Sequence, residues 1–154
     1  MDRLSQATGN AHGPDRESLH HACIWKATTL IEPNDGDPFA DAMNAPQKYV
    51  VSKTLKEPTW RNTGTIRDNV IESVRALKAQ AGKNILTDGS SQLVHALLAH
   101  DLVDELHLLV YPLILGGGKK VLPNGVHLAF ELKSATPFPT GVMGLHYTRR
   151  RAYS

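Results

Sequence analysis

The chain contains one cysteine, Cys23, in 154 residues, so no disulfide can close within it. A reducing, cytosolic setting is the expectation that follows. Long apolar runs are missing as well. No stretch approaches the roughly 18 residues that a membrane span needs, and Met1-Asp2-Arg3-Leu4-Ser5-Gln6 lacks the apolar block of a secretory leader. No membrane partner is expected. Concentrated charge is also absent. The formal net charge is +2, which argues against a nucleic-acid partner, because phosphate binding needs a crowded basic face. Arg149-Arg150-Arg151 is the one basic run and reads as a solvated tail. Metal-ligand spacing is not found either. His20-His21-x-Cys23 has soft ligand types but no downstream partner, and His95 and His100 do not share a helix face, so no metal site is expected. No Ser-His-Asp set can be ordered from the sequence.

Hydrophobic residues at 41% and charged residues at 21% are ordinary globular values, and they allow one domain with a normal core. Residues 1–21 carry few apolar side chains, and Gly9, Asn10, Gly13 and Pro14 break any period. This segment reads as irregular or mobile, leaving 22–154 as the folded domain. Ala22-Cys23-Ile24-Trp25 suits either a strand or a helical turn, and Glu32 to Pro38 is a loop by composition. Beyond Lys48 the pattern becomes regular. Tyr49-Val50-Val51 is a short strand. Asp68 is placed to cap a helix carrying Val70, Ile71, Val74 and Leu77, with Gly82 as its left-handed stop. Asn84 to Thr87 is a strand. Ser90 or Ser91 opens a helix with Leu93, Val94, Leu97 and Leu98 on one face, and Glu105 to Tyr111 is a strongly apolar strand. Alternation in Val126–Lys133 and Met143–Tyr147, around Pro137, Pro139 and Gly141, predicts an antiparallel hairpin. The expected fold class is α/β: a mixed, mostly parallel sheet with helices on both faces and a C-terminal antiparallel hairpin.

Two strand ends carry candidate chemistry. Thr87-Asp88-Gly89-Ser90-Ser91-Gln92 joins the carboxyl end of a strand to a helix start. Open α/β sheets bind ligands at that edge, and the first amides of a helix attract phosphate. The competing reading is a plain turn in which Ser90 caps the helix. Ser52-Lys53-Thr54 follows another strand and offers two hydroxyls and a cation, a set suited to the 2′-phosphate that distinguishes NADP from NAD. An exposed polar turn is the alternative. Gly116-Gly117-Gly118-Lys119-Lys120 looks like a phosphate loop but lacks its spacing and its Ser or Thr, and reads as a sharp bend, with a backbone anion nest as the lesser alternative. Asp104-Glu105 is expected to pair with lysines or cap the preceding helix.

The segments Lys48-Tyr49-Val50-Val51-Ser52-Lys53-Thr54-Leu55, Trp60-Arg61-Asn62, Ile85 to Ser90, Leu102 to Leu106 and Tyr111 to Gly118 come in an order that resembles the dihydrofolate-reductase-like family. The resemblance covers residues 48–150. Its nearest branch holds the reductase domain of riboflavin biosynthesis and its small stand-alone relatives. It implies an NADPH-binding reductase in which Ser52, Lys53 and Thr54 lie by the adenosine end. Gly89, Ser90, Ser91 and Gln92 would lie under the pyrophosphate, with Asp88 near the nicotinamide edge. Lys26 and Thr28 stand where relatives carry arginine and threonine toward the cofactor phosphates, and Trp25 replaces a glycine there. The apolar first strand of relatives has no counterpart in residues 1–21. Its slot, between the strands at 84–87 and 105–111, is expected to be filled by Cys23–Leu30 or by a partner chain. The expected substrate is a small pterin-like or pyrimidine-like molecule. No catalytic residue is assigned. A nucleotide-binding or structural remnant without turnover is the alternative function, and a homodimer covering Gly116–Leu122 and the hairpin is a further expectation.

Overall fold

The computed structural model describes residues 4–7, 22–25, 38–88 and 90–151. Among them, eight strands form one sheet: β1 (Leu4–Ala7), β2 (Ala22–Trp25), β3 (Gln47–Val51), β4 (Thr63–Ile66), β5 (Ile85–Thr87), β6 (Glu105–Val110), β7 (Phe130–Pro137) and β8 (Met143–Arg149). Their order is β4-β3-β2-β5-β1-β6-β8-β7. The pairs from β4 to β6 are parallel, and β8 pairs antiparallel with both β6 and β7. The mixed sheet and the C-terminal hairpin agree with the sequence reading. Phe138 to Val142 makes the hairpin turn, closed by Phe138 N–H donating to Val142 O at 2.8 Å, with Gly141 at φ 82°. The alternation at 126–129 lies ahead of β7 rather than within it.

The slot between β5 and β6 is not empty. β1 fills it, with Leu4 opposite Ile85, Gln6 opposite Thr87, and Ala7 opposite His107. Neither Cys23–Leu30 nor a second chain is needed there; β2 instead runs between β5 and β3. Leu-Ser-Gln-Ala is too short and too polar to announce itself by pattern. Its extended state is imposed by two neighbours whose backbone groups would otherwise lack partners in mid-sheet.

Helices α2 (Val70–Ala79) and α3 (Ser91–Ala99) bury Val74 and Leu77, and Leu93, Val94, Leu97 and Leu98. These meet Ile24, Ile66, Ile85 and Leu106 in one core. The helix ends differ from expectation. Asn69, not Asp68, is the N-cap of α2, in the left-handed region at φ 51°, and no side chain caps it. The Asp68 carboxylate faces Lys53 instead, at 3.6 Å. The helix stops at Ala79 with extended Gln80 after it, and Gly82 is not among the positive-φ residues.

Helix α1 (Pro38–Asn44) and strand β4 were not apparent in the sequence. Proline is tolerated at a helix start, where its missing N–H costs nothing. The end of α1 is held by a buried lysine. Lys48 is fully buried, and its ammonium donates to Asn44 O and Pro46 O at 2.9 Å each and to Met43 O at 3.4 Å. It also lies 5.1 Å from the centre of the Trp60 ring, whose indole N–H donates to Asn44 Oδ1 at 2.6 Å. A cation at a helix C-terminus satisfies carbonyls that have no intrahelical donor. Lys48 and Trp60, two of the residues behind the family resemblance, thus fasten α1 to β3.

The arginine run is not a loose tail. Arg149 Nε donates to Asp101 Oδ1 at 2.6 Å, its guanidinium reaches Ala129 O at 2.8 Å, and it stands over Phe130. Arg151 and Lys78 both bond the Asp104 carboxylate, the structural role foreseen for that acid. Residues 111–122 form an exposed arm in which Ile114 is 100% and Leu115 82% accessible. Gly116 and Gly118 take positive φ there, consistent with a bend.

Candidate functional site at the carboxyl edge of the parallel strands

β3 and β5 end on the same edge of the sheet, separated only by β2. Two strand spacings put these ends roughly 10 Å apart, about the reach of a nucleotide. At the β3 end, Ser52 is buried and its hydroxyl oxygen accepts from Leu55 N–H at 3.1 Å and Thr54 N–H at 3.4 Å. This side-chain turn fixes the loop. Lys53 and Thr54 are exposed at its tip. Arg67, just past β4, adds a second cation that the sequence reading missed. Its guanidinium donates to Leu55 O at 2.8 Å and Lys56 O at 2.9 Å. Position alone betrays it: once β4 is recognised, Arg67 must lie beside Lys53.

At the β5 end, Thr87 is fully buried and its hydroxyl donates to Ile24 O at 2.8 Å, tying β5 to β2. Asp88 follows with an exposed side chain. The protein around it nevertheless removes enough water to push its carboxyl above the usual carboxylate range. Ser90 is the N-cap of α3 by position, at φ 44° and ψ 100°, yet its hydroxyl makes no capping bond. The Ser90 side chain therefore does not cap α3. Its hydroxyl is not spent on the helix, and the first-turn amides have no intrahelical acceptor. Ser91 opens α3 half-buried, and Gln92 is exposed beside it. Together these groups make an anion-favouring corner.

The structure thus brings Ser52, Lys53 and Thr54 to one edge with Asp88, Ser90, Ser91 and Gln92. Gly89, Lys26 and Thr28 lie outside the described residues. The sequence reading also missed a second cluster, where Glu105, His107 and His146 approach one another on β6 and β8.

Comparison with known proteins agrees with this architecture. Residues 18–143 match the RibD C-terminal domain. The uncharacterised protein YyaP of Bacillus subtilis (strain 168) is 30% identical over 106 residues, covering 68% of this chain and 56% of that protein. The chain therefore spans little more than half the length of that relative. Among solved structures, a candidate riboflavin biosynthesis protein of Shewanella sp. PV-4 superposes with a TM-score of 0.68 at 14% identity, covering 98% of this chain and all of that one. A pyrimidine reductase-like protein of Corynebacterium diphtheriae gives 0.64 at 14% identity, over 98% of this chain and 92% of that one. The deaminase/reductase of Thermotoga maritima named for 5-amino-6-(5-phosphoribosylamino)uracil gives 0.59 at 14% identity, over 97% of this chain and 56% of that one. At such identities the structures speak for the fold alone; the matched segment spans most of the chain, and on that ground the protein belongs to the RibD C-terminal domain family.

Proposed function

We propose that the chain is an NADPH-dependent reductase of a small pterin-like or pyrimidine-like substrate, akin to the riboflavin-biosynthesis reductase. The observation that carries this is the β5–α3 corner. Ser90 stands at a helix N-terminus without capping it, and the corner lies on the carboxyl edge of a parallel sheet beside a cationic loop. Ser90, Ser91 and the first-turn amides of α3 suit a diphosphate. Lys53, with the Ser52–Thr54 turn, suits a 2′-phosphate. The bound dinucleotide supplies the hydride, while the chain orients it and keeps water away. Asp88, with its raised pKa, is the side chain at this edge best suited to hold a proton or to touch substrate.

A second reading, cofactor binding without turnover, is favoured by one feature. Trp25 stands where the family resemblance puts a glycine, the residue type that lets a backbone come close to phosphate. Titration of NADPH followed by its fluorescence tests both. Saturable binding with consumption in the presence of a pterin or ribitylamino-pyrimidine supports the reductase. Binding without consumption across such a panel supports the second reading, and no binding at millimolar cofactor removes both. The exposed arm with Ile114 and Leu115, and the exposed edge strand β7, support a homodimer. Sedimentation as a monomer at high protein concentration contradicts that.

A further inference from the structure

The second cluster lies on the antiparallel pair β6 and β8. His107 and His146 stand directly opposite each other in the ladder, and Glu105 is two residues from His107, so all three side chains leave the same face. Glu105 Oε2 lies 3.2 Å from His146 Nε2 and 3.6 Å from His107 Nε2. The two imidazoles stack with centroids 4.2 Å apart and planes 16° from parallel. One ligand atom from each residue falls within 4.8 Å of the other two.

We propose that Glu105, His107 and His146 form a three-ligand site for a divalent transition-metal ion of the zinc type. Bonds of 2.0–2.1 Å to a tetrahedral ion place ligand atoms about 3.4 Å apart. The two carboxylate–imidazole distances bracket that edge; the stacked imidazoles must turn out of their parallel arrangement to aim both nitrogens at one ion. Two histidines and one carboxylate with an open fourth position is the ligand count of a site that keeps water or another ligand on the ion. The carboxylate is nearly buried, whereas His107 is 42% and His146 29% accessible, so an ion can enter from the histidine side. Burial first, and then the neighbouring His146, hold the His107 imidazole below its ordinary range, against the opposite pull of Glu105.

The bound ion would clamp the hairpin to the parallel half of the sheet, since β6 pairs with β1 on its other side. The site does not depend on the reductase reading: its residues lie on β6 and β8, with β1 between β6 and β5.

The test is a zinc titration of the chelator-treated full chain, followed by dialysis and by thermal unfolding. The expected result is one saturable equivalent at submillimolar zinc that raises Tm and weakens as pH falls through the histidine range. H107A/H146A should abolish it, and E105Q should weaken it by about tenfold or more. Cobalt in place of zinc reports the ligands without any variant: a tetrahedral absorption band lacking a thiolate charge-transfer band is expected. Binding that persists in H107A/H146A, or a thiolate band from Cys23, assigns the metal elsewhere and overturns the proposal. Absence of saturable binding also overturns it and leaves a hydrogen-bonded histidine–carboxylate cluster only.

Discussion

Replacing Ser90 with aspartate separates a phosphate site from a structural turn. Ser90 is half-buried at the N-terminus of α3 and contributes no capping bond. A carboxylate about 5 Å from one charge of a diphosphate costs about 3 kcal/mol at an effective dielectric near 20. Salt and the partial exposure of the site reduce this to about 2 kcal/mol, roughly thirtyfold in Kd. S90A, which removes only a hydroxyl, should cost about 1 kcal/mol, roughly fivefold. Folding should respond in the opposite direction. The added charge suits the helix N-terminus, and the backbone at φ 44° already holds a residue with a side chain. The Tm of S90D should therefore hold or rise while NADPH affinity falls. The assay is a fluorescence titration paired with a thermal melt of the same sample. Wild-type affinity in S90D refutes the argument, because a diphosphate at this corner cannot ignore the new charge. Weaker binding with a lowered Tm refutes it too, because damage would then explain the loss.

Three further outcomes follow from the same geometry. K53A should weaken NADPH about tenfold and leave NADH unchanged, because Lys53 is proposed to meet only the 2′-phosphate. Its exposed pairing with Asp68 adds little stability, and equal losses for both cofactors contradict the assignment. K48M should destabilise by about 3 kcal/mol and lower Tm by about 6–12 °C, because it leaves buried carbonyls at the end of α1 without their donor; an unchanged melt contradicts the role of Lys48. For Asp88 the raised pKa means that the folded state binds more protons than the unfolded one just above the ordinary aspartate range. Stability is then lost as pH rises through that window. D88N should be more stable than wild type at neutral pH and gain nothing at a pH below the window, as read by chemical denaturation at both pH values.

Much of the site was legible because its elements are strongly patterned. Val94 and Leu97 recur at helical spacing and are fully buried, and Ile85-Leu86-Thr87 is a buried strand that can end only at the sheet edge. The remainder depended on tertiary context. β1 is a strand because β5 and β6 flank it, not because Leu-Ser-Gln-Ala favours extension. Asp68 has a good capping side chain, yet Asn69 takes the left-handed cap and Lys53 takes the carboxylate. Arg149 and Arg151 look like a tail until the end of β8 brings them to Asp101 and Asp104. His107 and His146 lie far apart in sequence, and only the register of β6 on β8 makes them neighbours. Period-two alternation places Glu105 and His107 on one face, but nothing local says which residue of the hairpin will oppose them.

The central claim is that the β5–α3 corner grips a diphosphate. A crystal structure of the protein soaked with NADPH tests it most directly. The account predicts the diphosphate against the first-turn amides of α3 and the Ser90 hydroxyl, with the adenosine end toward Lys53. A cofactor bound elsewhere, or an α3 N-terminus left in contact with solvent alone at saturating NADPH, contradicts it.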